Sequence, residues 1–169
     1  SGAKTKIKDA IIALSKKSPL INVEQRQKSF DQWHSDLCNA LKIYYDALLG
    51  QNTKIRLTYG QAQKWVNMTL KYCWVCGVAA SNDLTNWFSA AHVAVDEIIL
   101  LAAQREKVII ERPCRKWSVW DSQQQYEVFQ KLLRDFSAKQ NKTPLELEFD
   151  WWLKYRSEVI GFENDEKVG

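Results

Sequence analysis

Lys64 and Asp96 are the two residues whose types and settings could do chemistry together. Lys64 follows the turn Tyr59-Gly60 and lies near the start of the helix-like stretch YGQAQKWVNMTLKYCWVCG. Asp96 is delivered by an apolar approach, Val93-Ala94-Val95, to the start of a second apolar helix. A lysine and a carboxylate on neighbouring helix starts form a candidate nucleophile and its charge-stabilising partner.

Around this pair the chain reads as helices throughout. Only 6 Gly and 3 Pro in 169 residues leave few chain-breakers, which argues for long helices and few tight turns. Residues 5 to 14 predict a short first helix. Residues 23 to 49 predict a long one, with Phe30, Trp33, Leu37, Leu41, Tyr44 and Leu48 at three- and four-residue steps and Gly50 as its stop. Thr58 with Gln61 forms a capping-box pattern at the head of a helix that runs to about Gly77. Its apolar stripe is expected on Ala62, Trp65, Val66, Thr69, Cys73 and Cys76, and Lys64, Asn67 and Lys71 are expected on another face.

Residues 78 to 90 read as a polar connection with a short helical turn at Trp87-Phe88, and 93 to 106 have helical character. Val108 to Glu111 is β-branched and suits extended backbone. After the Trp117 and Trp120 loop, helices are expected from Ser122 to Lys139 and, opened by the Thr143-Pro144-Leu145-Glu146 cap, from 143 to about 160. A frayed acidic tail, 163 to 169, follows. The expectation is a single all-α domain spanning 1 to 169. It contains no apolar run long enough to cross a membrane, and a cytoplasmic setting is expected.

The order Gly60, Lys64, helix, loop, then Val95-Asp96 before an apolar helix resembles the helix-hairpin-helix DNA glycosylases. In that family a glycine-rich hairpin carries a lysine and a Pro-Val-Asp turn carries an aspartate. The long separation of Lys64 from Asp96 is most similar to the archaeal 8-oxoguanine glycosylase branch, and the likeness covers residues 59 to 101. The sequence departs from the pattern in two places: Gln61-Ala62 stands where the hairpin has its second glycine, and Ala94 stands where the turn has proline.

The resemblance implies base excision on DNA by an enzyme without cofactor or metal. Lys64 would attack the sugar's anomeric carbon and form a Schiff base, while Asp96 would stabilise positive charge and assist proton transfer. Lysine attacks only when neutral, so a nearby positive charge such as Lys71 suits the role. A base inside a duplex is out of reach and must be flipped into an aromatic-lined pocket. The candidate substrate-binding residues are Trp65, Asn67, Lys71, Trp87, His92, Trp117 and Trp120, and DNA is the expected partner.

The competing expectation is a non-catalytic helical module that binds a nucleotide, a base or a protein, with bacterial stress response or phage defence as settings. On that reading Lys64, Asn67 and Lys71 form a solvated helix face and Asp96 is a helix cap. The adjacent pair Trp151-Trp152 cannot face one core, so one of the two is expected on a partner-accessible surface. Cys73 and Cys76, with Cys38, Cys114, His34 and His92, lack the second paired motif of a zinc site; reduced, mostly buried thiols are expected. His34, one turn from Asp31 and from Cys38, reads as a surface histidine.

Overall fold

The computed structural model describes residues 2–17, 22–50, 56–77, 84–113 and 116–165, with side chains to 159. Among them lie seven α-helices and no strand. They are α1 (Gly2–Ser15), α2 (Val23–Leu49), α3 (Tyr59–Val75), α4 (Thr85–Phe88), α5 (Glu97–Arg105), α6 (Gln123–Lys139) and α7 (Pro144–Asp165), with a one-turn 3-10 helix at Trp117–Val119.

The starts of these helices follow from local chemistry. Asn22 accepts from the amides of Glu24 and Gln25 at the head of α2, and Ser122 accepts from Gln125 at the head of α6. Thr58 and Gln61 complete a reciprocal capping box on α3, and Thr143 and Glu146 do the same on α7. α2 ends at Gly50, whose φ of 72° is the left-handed conformation that glycine adopts at little cost.

α2 packs against both α1 and α3, while α7 packs against α5 and α6. The core between them is built from Phe30, Leu41, Val66, Ile99, Leu133 and Leu147, all at most 1% exposed. Trp151 is buried and Trp152 is 37% exposed, as adjacent positions on one helix require.

Four expectations are corrected. The buried stripe of α3 is Tyr59, Ala62, Gln63, Val66, Asn67 and Leu70, so Asn67 is core and not solvated face, while Trp65 and Cys76 are exposed. Residues 91–96 are neither helix nor strand, 91–95 are buried, and the helix begins only after Asp96, whose backbone is extended. Val108 to Glu111 forms bends. His34 is fully buried, stacked on Tyr126 at 5.4 Å between ring centroids.

Cys38 is buried, but Cys76 is exposed and Cys73 is half-buried; all three are free thiols, and Cys114 lies outside the described residues. So do 78–83 of the polar connection and 166–169 of the acidic tail, whose residues up to Asp165 continue α7.

Candidate functional site

The site is organised by a buried non-helical segment that runs through the helical core. Ala91 to Val95 are buried, and with no neighbouring strand their backbone groups would be left without partners. Side chains from three helices take the place of a strand. Gln130 of α6 accepts from the Val93 amide at 3.0 Å and donates to the Val93 carbonyl at 2.8 Å. Gln63 of α3 accepts from the Val95 amide at 3.3 Å and donates to its carbonyl at 3.1 Å. At Ala94, Glu148 of α7 accepts from the amide at 2.9 Å and Lys64 of α3 donates to the carbonyl at 3.4 Å. Every backbone N–H and C=O of Val93, Ala94 and Val95 therefore has a side-chain partner. Asn67 adds bonds to the Val93 carbonyl, Gln63 and Tyr126.

This clasp delivers Asp96 to the N-terminus of α5. One carboxylate oxygen accepts from the Ile99 amide at 2.9 Å, as an N-cap does, and the other accepts from Lys64 Nζ at 2.6 Å. Lys64 and Asp96, 32 residues apart in sequence, thus converge with side chains 20% and 17% exposed. The Trp117 ring lies 6.0 Å from the Lys64 ammonium. A second ion pair stands alongside: Lys71 donates to Glu148 at 2.5 Å, and Glu148 is 2% exposed. Burial pushes the Glu148 carboxyl above its usual range, opposed by Lys71, the Ala94 amide and Lys64. Two lysines and two carboxylates therefore flank the Ala94 peptide.

His92 belongs to a deeper cluster, joined to the clasp through Tyr126 and Asn67. Its Nε2 lies 2.6 Å from an Asp31 oxygen and its Nδ1 3.0 Å from Tyr126 Oη. Asp31 is also held by Gln27 and Arg134. Since a carboxylate can only accept, the neutral ring carries its proton on Nε2, and Tyr126 donates to Nδ1 while accepting from Asn67. Burial lowers the His92 pKa, with Asp31 pulling the other way, and burial, with mutual repulsion between the two rings when protonated, lowers that of His34 further. Burial raises Asp31, but the His92 bond and then Gln27 and Arg134 hold its pKa below the usual value.

Of the residues expected to contact substrate, Trp117 stands at the Lys64 and Asp96 pair and Lys71 about two turns along α3. Asn67, Trp87, His92 and Trp120 are buried, at 1%, 3%, 2% and 3% exposure. Trp65 leaves the pair and meets Tyr45 of α2 edge-on.

The glycine turn differs from a phosphate-binding hairpin. The Gly60 amide donates to the Trp120 carbonyl at 2.7 Å, and Tyr59 donates to Asp121. A methyl on Gly60 would overlap the Trp117 carbonyl, so the glycine is required by the close approach of the 3-10 turn. Among the described residues no group of three His, Cys, Asp or Glu side chains is placed to hold a metal ion.

Gln63, Gln130 and Glu148 were not anticipated. Each is a polar residue on an apolar helical stripe, Gln130 between Tyr126 and Leu133 and Glu148 between Leu145 and Trp151, and that placement is the signal in the sequence. Comparison with known protein families, with curated proteins and with solved structures finds no match.

Proposed function

We propose that the chain is a base-excision-type DNA glycosylase with lyase chemistry, acting through Lys64 and Asp96. The observation that supports this reading is their convergence at 2.6 Å at the edge of the core, beside an aromatic ring. In the proposed reaction Asp96 takes the ammonium proton from Lys64. The freed amine forms a bond to the sugar's anomeric carbon as the bond from that carbon to the base breaks and the base leaves with the bonding pair. Asp96 passes its proton to the departing base and then takes one from the new secondary ammonium. The freed nitrogen lone pair opens the sugar ring as Asp96 gives that proton to the ring oxygen, leaving a protonated Schiff base whose positive charge faces the Asp96 carboxylate.

Borohydride trapping on an oligonucleotide carrying an abasic site or 8-oxoguanine tests it. A covalent adduct with the wild type, lost in Lys64→Ala and diminished in Asp96→Asn, is expected. No adduct with the wild type, or an equal adduct with Lys64→Ala, overturns the reading.

A second reading rests on a different observation: Lys64 also donates to Ala94, and Asp96 also caps α5, as members of the clasp. The pair is then structural and the chain a non-catalytic binding module. This reading expects no adduct, and a loss of stability in Lys64→Ala.

A further inference from the structure

α1 and α3 both pack on α2 and leave a groove between them. Two adjoining cavities, about 420 and 250 Å³, share Lys4, Ile7 and Thr69 and form one trough. α1 lines it with Lys4, Ile7, Lys8, Ile11 and Ile12, a stripe at three- and four-residue steps. α3 answers with Trp65, Met68, Thr69 and Tyr72. Ile12 is 40% exposed, Trp65 43% and Tyr72 58%, so the trough carries large apolar side chains that face solvent at its rim. Its described lining holds the two lysines and no acidic side chain.

We infer that this groove is a docking site for an acidic amphipathic helix of a partner protein. Three features select that occupant. Both walls are helices with internally satisfied backbones, so they offer side chains alone and no edge for an extended peptide; an occupant must satisfy its own backbone, as a helix does. The stretch from Lys4 to Ser15 is about 16 Å long at helical rise, which fits roughly three turns of a guest helix presenting one apolar stripe. Lys4 and Lys8, one turn apart on the α1 wall and unopposed by any acid in the described lining, favour Asp or Glu on the guest's flank. The aliphatic floor of Ile7 and Ile11 provides no hydrogen-bonding groups for base edges and favours a leucine-type stripe over nucleic acid. The inference is independent of the chemistry at Lys64 and Asp96.

Fluorescence anisotropy with three labelled probes tests it: an 18-residue helical peptide with leucines on one stripe and glutamates elsewhere, the same peptide with lysine in place of glutamate, and a single-stranded 20-nucleotide DNA. The acidic peptide is expected to bind and to be released by raised salt. Its affinity should fall at least about tenfold in the Lys4→Glu/Lys8→Glu protein and be lost in Ile12→Glu/Tyr72→Glu, with Lys64→Ala unaffected. Circular dichroism confirms that these surface variants fold. No binding of the acidic peptide at millimolar concentration, equal binding of the basic peptide, or binding that survives both groove variants overturns the proposal. Binding of the DNA that is lost in the same variants also overturns it and assigns the groove to nucleic acid.

Discussion

Lys64 meets two acceptors, the Asp96 carboxylate and the Ala94 carbonyl, and Asp96 meets two donors, Lys64 and the Ile99 amide. Removing the lysine leaves a largely buried carboxylate with one partner fewer, which costs about 1–2 kcal/mol. Lys64→Met should therefore lower the urea-unfolding free energy by that amount. Asp96→Asn keeps the cap on Ile99 and should cost less than Asp96→Ala, which loses cap and pair together; equal costs for the two would show that the cap carries nothing. Gly60 shows how one residue can be read in two ways. Its place before a lysine suits a phosphate turn, yet its amide is taken by Trp120 and its missing side chain by the Trp117 carbonyl. Gly60→Ala is expected to destabilise by about 1–3 kcal/mol, because the overlapping atom belongs to backbone that must shift. An unchanged thermal midpoint would refute that packing.

At the scale of elements, the non-helical segment 91–96 is a part of the fold whose backbone depends on the side chains of surrounding helices. Gln130→Leu conserves approximate size but leaves the Val93 amide without a partner and its carbonyl with only Asn67. The orphaned buried amide costs about 1–3 kcal/mol, so the variant should lose roughly that amount in chemical denaturation. Amide exchange at Val93 should accelerate in the same variant while the core of α2 stays protected. Uniform acceleration everywhere would mean that the clasp is not a local unit. The helices themselves were legible, since periodicity and caps depend on neighbours within about a turn: Thr58 with Gln61 and Thr143 with Glu146 mark two starts directly. The buried non-helical segment was not, because Val93 to Val95 is equally apolar as a helix start or as a buried strand, and the partners that decide are 26 to 54 residues away.

For the molecule as a whole, buried imidazoles set the pH response. The rings of His34 and His92 are 4.4 Å apart, and burial lowers both pKa values below the ordinary 6.5, so the folded chain releases protons that the unfolded chain binds. Their contribution is therefore present above pH 6.5 and lost as pH falls below it, by up to about 1.4 kcal/mol per pH unit for each histidine. Glu148, raised by burial, acts with the opposite sign above its ordinary 4.5. The measurement is the urea-unfolding free energy at pH 5.0, 5.5, 6.0 and 7.5 for the wild type and for His34→Phe. The slope below pH 6.5 should drop in the variant, and an identical slope would show that His34 does not titrate on unfolding. The described helices include none long and apolar enough to cross a membrane.

The sequence by itself determined the helical class, most helix limits, and the exposure of one of two adjacent tryptophans, since all three follow from the helical period and from caps made within a few residues. It also singled out Lys64 and Asp96. Tertiary structure alone decided that the two meet, that Asn67 and His34 are core, and that three glutamine and glutamate side chains replace a missing strand. Those outcomes depend on which helices pack together, and a buried polar group reveals its purpose only when its distant partner is in place.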